Sequence, residues 1–236
     1  MAVYLFNGCI SDKNTEEYIY LVERVSNPIK VDADWNKDPW RQIKSQFIEN
    51  FMGDIPDFNP TTEVKMVYDE DNIYVIFKVQ DKYVSCTTVE INGPVWEDSC
   101  VEFFFSPDTN HPERYFNLEV NCGGTPLMHY NIVPRKDFIK LKEEEIKKIT
   151  IASSMPAVVY PEITEPVIWF IEYKIPIRVL TKYAEITAPS KGIVWKVNFF
   201  KIAEKTSNPH YMTWAVVESS KPDFHRPEYF GNIEFN

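Results

Sequence analysis

The chain of 236 residues carries 25 Lys and Arg against 35 Asp and Glu, which gives a formal net charge of -10 at pH 7. An acidic chain lacks the basic surface that nucleic acids and anionic lipid headgroups require, so neither class of partner is expected. Among only 7 glycines, the adjacent pair Gly123 and Gly124 belongs to neither a dinucleotide-binding GxGxxG motif nor a P-loop, which argues against a nucleotide-binding enzyme. The 44% hydrophobic content is typical of a globular protein, and we expect residues 1–236 to form a single domain.

The sequence shows neither a membrane span nor a secretion signal. No run approaches the roughly 18 apolar residues of a spanning helix, and the first residues lack the basic segment of a signal peptide. We therefore expect a soluble protein, cytoplasmic by default and extracytoplasmic if the natural N-terminus lies upstream. Residues Phe6 to Cys9 weakly resemble the end of a lipoprotein signal, a similarity better explained by chance. The cysteines, Cys9, Cys86, Cys100 and Cys122, show no CxxC or metal-ligand spacing and are expected to be reduced thiols.

Short runs rich in Val, Ile, Phe, Tyr and Trp, separated by Pro, Asn and Asp, are typical of an all-β protein. The predicted strands are Glu63–Asp69, Asn72–Gln80, Cys100–Ser106, Arg114–Cys122, Val167–Ile175, Ile193–Lys201 and Met212–Val217. The first two flank an Asp and Asn cluster and predict an antiparallel hairpin. Short helices are predicted only near Trp40, over 141–149 and over 177–184. The fold class that follows is an all-β antiparallel β-sandwich with a few short peripheral helices, in which Met1–Asn27 and Gly124–Pro166 are the least regular segments.

Side chains two residues apart share one face of a strand, and three of the predicted strands separate into an apolar and a polar face. The apolar faces consist of Val101, Phe103 and Phe105, of Phe116, Leu118, Val120 and Cys122, and of Trp195, Val197 and Phe199. The polar faces include Glu102, Asn117, Glu119, Asn121 and Asn198. A solvated outer face is one interpretation, since antiparallel sheets commonly expose one side to water. Asn is depleted in strands, however, and amides together with carboxylates suit hydrogen bonding to the vicinal hydroxyls of a hydroxyl-rich ligand.

Two aromatic residues lie in predicted turns beside these polar faces. Trp96 occurs within Pro94-Val95-Trp96-Glu97-Asp98, shortly before Glu102, and Phe224 precedes His225 near the C-terminal end. Aromatic rings in such positions can form the walls of a site and stack on the apolar C–H faces of a ligand. His225 is expected to border the same site.

Four segments, in order along the chain, are similar to a family 9 carbohydrate-binding module and especially to its standalone family 9-like group. They are Val31-Asp32-Ala33-Asp34 followed by Trp40, Val64 through Asp81, Trp96 through Phe104, and Phe224 through Glu234. The similarity extends from about Ile29 to Phe235, with 29–123 and 167–235 as the best-matching core. This resemblance implies a jelly-roll-like sandwich that grips a mono- or oligosaccharide between two aromatic rings without catalysing a reaction.

By position, the resemblance assigns the two rings to Trp96 and Phe224, a carboxylate to Glu102 and a strand amide to Asn198. Together with the polar faces, it predicts a binding site of Trp96, Glu102, Asn117, Glu119, Asn198, Phe224 and His225. The chain has Asn117 where the family has a sugar-binding arginine, and Phe224 where well-studied members have Trp. These departures predict an altered specificity, with loss of sugar binding in favour of an interaction role as an alternative. Because family members usually accompany a glycosidase, a separate glycosidase is an expected partner.

Other functions are also compatible with individual residues. A glycoside hydrolase would use Glu102 and Glu119 as paired carboxyl groups, although we expect no enzymatic activity. A haem-binding sandwich would use His129 or Met128, although no CxxCH motif is present. No cofactor is required, but the resemblance implies a structural calcium. Its candidate ligands are Asp69, Glu70, Asp71 and Asp81, for which ordinary turn chemistry is the simpler explanation.

Overall fold

A computed structural model describes residues 18–236 of the chain. The strands in this range are β1 (Ile19–Arg24), β2 (Gln46–Ile48), β3 (Asn50–Phe51), β4 (Thr61–Tyr68), β5 (Asn72–Asp81), β6 (Val84–Cys86), β7 (Cys100–Ser106), β8 (Tyr115–Asn121), β9 (Pro126–Val133), β10 (Asp137–Lys140), β11 (Thr150–Ser153), β12 (Val159–Ile163), β13 (Val167–Pro176), β14 (Val194–Ala203), β15 (His210–Thr213) and β16 (Gly231–Phe235). The helices are α1 (Glu143–Ile146), α2 (Ile177–Leu180) and 3-10 turns at Trp40–Gln42, Val95–Glu97 and Pro227–Tyr229. No helix within 18–236 has the length and apolar character needed to span a bilayer.

Most strands belong to two sheets packed against each other. The first sheet has the order β10-β9-β8-β7-β14-β16, and the second has the order β4-β5-β13-β11. Strand β1 connects them, because Ile19–Val22 pair with β16 and Glu23 and Arg24 pair with β4. Both pairings of β1 are parallel, whereas the neighbours within each sheet are antiparallel. The predicted all-β sandwich is confirmed, with β1 as a parallel exception to its antiparallel pairing.

The main core lies between the two sheets and contains the apolar faces that the sequence predicts. Phe103 stacks with Phe105 and with Phe199 at ring-centroid distances of 4.6 and 4.9 Å. Phe199 in turn meets Phe77 of β5 edge-on at 6.2 Å, which joins the first sheet to the second. Large aromatic side chains bury much apolar area and favour these offset and edge-on arrangements, so they stabilise the contact between the sheets.

The predicted strands agree with the structure where apolar alternation is strong. The hairpin around Asp69–Asn72 is confirmed, with Tyr68 opposite Ile73 across β4 and β5. The prediction is wrong for Gly124–Pro166, which contains β9, β10, β11 and β12. Strand β10 is exposed along its whole length at the edge of the first sheet, so it lacks the half-buried alternation that marks a strand in sequence.

A buried carboxylate, Glu172 of β13, fixes the segment that precedes β2. Its Oε2 accepts the backbone N–H groups of Asp32 and Ala33 at 2.8 and 2.7 Å, and its Oε1 accepts the indole N–H of Trp40 at 2.8 Å. Lys37 Nζ donates to Oε2 at 2.8 Å and supplies the compensating charge. The short helix predicted near Trp40 is therefore a 3-10 turn anchored to the second sheet.

Three cysteines, Cys86, Cys100 and Cys122, are buried and unbridged, as predicted for reduced thiols. Burial raises the pKa of the Cys100 thiol well above its usual range, which keeps it protonated. Cys9 and the lipoprotein-like residues around it lie outside the described residues.

Candidate functional site

The face of the first sheet that points away from the main core is covered by other parts of the chain. Strand register places one row of side chains across β14, β7, β8 and β9, namely Phe200, Glu102, Glu119 and Leu127. The adjacent row consists of Asn198, Phe104, Asn117 and His129. Every residue of β7 and β8 is buried, so the interpretation of this face as solvated is wrong. Strand parity identifies which residues share the face, but it does not reveal what covers them.

Three segments cover this face. The 3-10 turn at Val95–Glu97 contributes Trp96, the β9–β10 hairpin contributes Arg135 and Phe138, and the segment 222–225 contributes Phe224 and His225. Apolar side chains of the sheet and of its cover form a second cluster that includes Phe104, Tyr115, Phe200, Phe224 and Phe230. Together they enclose a partly open cavity of about 390 Å³. This volume lies at the small end of the range for ligand-binding cavities.

Six of the seven predicted site residues line this cavity: Trp96, Glu102, Asn117, Glu119, Phe224 and His225. The structure does not bring Asn198 into it. The Asn198 amide is used by the backbone of Ala215, because Nδ2 donates to the Ala215 carbonyl at 3.0 Å and Oδ1 accepts the Ala215 N–H at 2.9 Å. The placement of Asn198 in the site is therefore wrong, since its side chain holds the strand to the segment after β15.

Glu102 and Glu119 form a pair of carboxyl groups in the cavity wall. They lie directly opposite each other on β7 and β8, which places their Cβ atoms about 5 Å apart on the same face. Both residues are almost completely buried, at 2% and 5% exposure. Burial, with the neighbouring Glu119 as a second cause, raises the pKa of Glu102 well above its usual range, and burial raises the pKa of Glu119 to about 7. Near neutral pH, Glu102 therefore holds a proton, whereas Glu119 titrates close to neutrality.

Two asparagines connect this pair to the neighbouring strand. Asn117 Nδ2 donates to Glu119 Oε1 at 2.8 Å, and Asn131 Nδ2 donates to Asn117 Oδ1 at 2.6 Å. This chain fixes the orientation of both amides and of the Glu119 carboxyl group. Two buried polar atoms of cavity-lining residues, Glu119 Oε2 and His129 Nε2, have no hydrogen-bond partner in the described part of the chain. Buried polar atoms are nearly always hydrogen-bonded, so these two unsatisfied atoms indicate that the described part of the chain leaves the cavity wall incomplete.

The two histidines of the cavity are uncharged at neutral pH. Burial lowers the pKa of His129 to about 4, with nearby Lys140 as the lesser cause. Burial likewise lowers the pKa of His225 to about 4, and Arg135 adds to the shift. The Nδ1 atom of His225 lies 2.7 Å from the Tyr115 hydroxyl, which fixes the ring over the second apolar cluster.

Further cavity-lining residues were missed by the sequence analysis. They include Asn131, Arg135, Phe138, Glu204, Tyr211 and Asp223. Phe138 is the most informative of them, because it is 43% exposed and its ring stacks on His129 at 5.0 Å. The available signal was an aromatic residue within the otherwise charged run Pro134-Arg135-Lys136-Asp137-Phe138, but it lies in the segment predicted to be irregular.

The aromatic residues of the cavity differ in accessibility. Phe224 is only 5% exposed, and one face of its ring is occupied by Phe200 at a centroid distance of 4.1 Å. Trp96 is partly exposed, and its backbone carbonyl accepts the N–H of Glu204 at 3.3 Å, which ties the turn to the end of β14. Trp96 and Phe138 therefore offer more open ring surface than Phe224.

Comparison with known proteins identifies the family. Residues 32–235 match the family model described as carbohydrate-binding family 9. The chain belongs to carbohydrate-binding family 9. No curated protein gives a significant match to it.

Solved structures agree with the sandwich fold of this family 9 chain. A candidate carbohydrate-binding protein from Bacteroides uniformis ATCC 8492 has a TM-score of 0.83 at 24% identity, over 93% of this chain and 100% of that one. A family 9 module from Caldicellulosiruptor kristjanssonii in complex with cellotriose has a TM-score of 0.61 at 11% identity, over 92% of this chain and 93% of that one. A family 9 module from the same organism in complex with glucose has a TM-score of 0.55 at 12% identity, over 93% of this chain and 96% of that one. At these identities the likeness concerns the fold.

Two of the calcium candidates of the family 9 chain, Asp69 and Asp81, have other partners in this structure. Asp69 Oδ1 accepts the N–H of Asp71 at 2.9 Å, and its Oδ2 accepts the hydroxyl of Tyr74 at 2.6 Å. Asp81 instead lies in the interior, where its Oδ2 is 3.1 Å from Lys201 Nζ. Between residues 18 and 236, no group of three His, Cys, Asp or Glu side chains is arranged to hold a metal ion. Asp69, Asp71 and Asp81 therefore do not converge on one point.

The buried cation Lys201 also contacts a histidine. Its Nζ lies 2.7 Å from His210 Nε2, while His210 Nδ1 lies 2.7 Å from the carbonyl oxygen of Asn208. A proton on Nδ1 satisfies that carbonyl and leaves Nε2 to accept from the ammonium. Burial lowers the pKa of His210 to about 3, so the imidazole is neutral, and among residues 18–236 Asp81 supplies the charge that balances Lys201.

The two haem-ligand candidates are not brought together. Met128 is buried in the main core, whereas His129 lines the cavity on the opposite face of β9. Adjacent residues of a strand point to opposite faces, so these two side chains cannot ligate one iron atom.

Proposed function

We propose that the cavity on the first sheet binds a mono- or oligosaccharide without changing it chemically. The observation that carries this proposal is the convergence of open aromatic rings, Trp96 and Phe138, with the polar groups of Glu102, Asn117 and Glu119. Rings stack on the apolar C–H faces of a sugar, and amide and carboxyl groups exchange hydrogen bonds with its hydroxyls. The cellotriose and glucose complexes of the Caldicellulosiruptor module support the same class of ligand.

The size of the cavity limits the ligand. A partly open volume of about 390 Å³ suits a single sugar ring or the end of a longer chain. A site with a few rings and polar groups is expected to bind with a Kd between roughly 1 mM and 1 μM, which corresponds to about -4 to -8 kcal/mol.

A glycan array followed by calorimetry tests the proposal. Trp96→Ala is expected to weaken binding at least tenfold, because it removes an open ring from the cavity. The matched control is Trp35→Ala, since Trp35 is also partly exposed but contacts Lys65 and Phe170 on the outer face of the second sheet. The proposal fails if no saccharide binds, or if the two variants lose affinity equally while both remain folded.

The arrangement of the carboxyl groups favours binding over hydrolysis. A glycosidase needs its two carboxyl groups on either side of the scissile bond, whereas Glu102 and Glu119 lie beside each other on one wall. We therefore infer that the chain has no glycosidase activity of its own. Because members of this family usually accompany a glycosidase, we propose a separate glycosidase as its partner. Incubation with cello-oligosaccharides should release no reducing sugar, and release that disappears in Glu102→Gln would contradict this inference.

A further inference from the structure

We propose that the preferred ligand of this cavity is an amino sugar, whose protonated amino group lies between the carboxyl groups of Glu102 and Glu119. This inference rests on the proposed function, since a saccharide must occupy the cavity. It specifies a hexosamine, or an oligosaccharide of hexosamines with free amines, in place of a neutral glucan.

The cavity contains more acidic than basic groups. Its described lining includes four carboxyl groups, of Glu102, Glu119, Glu204 and Asp223, and one guanidinium, of Arg135. The guanidinium is already bound to Asp223, with Nε and Nη2 at 2.8 and 2.7 Å from Oδ1. The lining described here thus contains no unpaired cation for Glu102 and Glu119.

A buried carboxyl group requires either a hydrogen-bond donor or a counter-charge. Glu119 Oε2 has no hydrogen-bond partner among residues 18–236, although the residue is 95% buried. The positive charge of Lys201, on the neighbouring strand β14, acts to lower the pKa of Glu102. Its ammonium is paired with Asp81, however. An ammonium group of the ligand would present three N–H donors, which could satisfy Oε2 and balance the charge of the pair.

An inorganic cation would fit the cavity less well than an amino sugar. A hard cation such as calcium needs six to eight oxygen ligands, and among residues 18–236 no group of three His, Cys, Asp or Glu side chains is arranged to hold a metal ion. The remaining lining includes the apolar side chains of Trp96, Leu127 and Phe138, which would cover the ring of a sugar but offer nothing to a hydrated ion.

The charges around the pair determine how binding depends on pH. The titratable groups that face it or act on it are Glu204, Asp223, Arg135, His129, His225, Cys100 and Lys201. The imidazoles are neutral at pH 7 and supply no positive charge. Because the pKa of Glu119 is about 7, an ammonium that binds at pH 5 must first displace a proton from the pair. The ionised fraction of Glu119 rises between pH 5 and 7, and affinity for an amino sugar should rise with it.

Calorimetry with glucose, glucosamine and N-acetylglucosamine tests the inference, because the last sugar keeps the nitrogen and loses the charge. At pH 7, glucosamine should bind at least tenfold more tightly than either of the other two. Its affinity should fall as the pH is lowered to 5, and titrations in two buffers of different ionisation enthalpy should show proton release on binding. Glucose should show neither effect.

Glu119→Gln should reduce the ratio of glucosamine affinity to glucose affinity to less than about threefold. Glu49→Gln, at an exposed position outside the cavity, is the matched control and should keep the ratio of the natural chain. The inference is overturned if glucose or cello-oligosaccharides bind as tightly as their amino counterparts in the natural chain. That result would leave the proposed function standing, whereas the absence of binding by every sugar would contradict both.

Discussion

The carboxyl pair should make the stability of the protein depend on pH in an unusual direction. The pKa of Glu119 is raised in the folded state from an ordinary value of 4.5 to about 7, chiefly by burial. A group whose pKa is raised by folding stabilises the folded state fully below its unfolded pKa, and this contribution is lost as the pH rises through the folded pKa. This rise in pKa corresponds to a free energy of about 3 kcal/mol, since each pKa unit is worth 1.36 kcal/mol. The free energy of unfolding should therefore fall by about 3 kcal/mol between pH 4 and pH 8 on account of this residue.

Urea unfolding at pH 4, 6 and 8 measures this loss in the natural chain and in Glu119→Gln. The substitution keeps the shape of the side chain and removes its charge, so the difference in stability between the two proteins should change by about 3 kcal/mol over this range. Glu49→Gln should follow the natural chain, because Glu49 is exposed and lies outside the cavity. If the natural chain and Glu119→Gln show the same pH dependence, Glu119 ionises as freely in the folded state as in the unfolded chain, and the reasoning about the pair is refuted.

Three other variants test separate parts of the structure. Asp81→Asn leaves the ammonium of Lys201 buried without a counter-charge, so urea unfolding should show a free energy of unfolding lower by about 3–5 kcal/mol. A decrease of less than about 1 kcal/mol would show that the ion pair does not stabilise the fold. Gly123→Ala would place a Cβ atom 2.5 Å from the carbonyl oxygen of Ala157, and it should lower the free energy of unfolding by about 1–3 kcal/mol; an unchanged thermal midpoint would contradict this. Phe138→Ala should weaken saccharide binding several-fold in calorimetry. It should change the free energy of unfolding by less than about 1 kcal/mol, since the ring is 43% exposed at a sheet edge. Unaltered affinity would show that Phe138 does not belong to the site.

The sequence predicts the parts of this fold in which burial leaves a regular pattern. The alternation in β7 and β8 identifies Glu102, Asn117 and Glu119 as sharing one face, because the opposite face enters the main core. The same alternation predicts Asn198 in the site, but its amide instead binds Ala215 in the segment after β15. The alternation of one strand does not predict which distant segment its side chains will contact. Phe138 escapes prediction for a different reason: it lies on a strand exposed on both faces. Local spacing thus predicts which residues share a face of a strand. It does not predict which segments pack over that face, because those contacts join residues distant in the chain.

The two parallel pairings of β1 have a consequence for the order of folding during synthesis. Strand β1 joins the sheets, yet its partner in the first sheet is β16, whose residues 232–235 are made more than 200 residues later. Strand β16 also pairs with β14, so the path of hydrogen bonds from one sheet to the other remains incomplete until that strand has left the ribosome. The hairpin of β4 and β5 can form from local contacts much earlier. Contacts of such long sequence separation are slow to form, so the connection between the two sheets through β1 should form late, after the hairpin of β4 and β5.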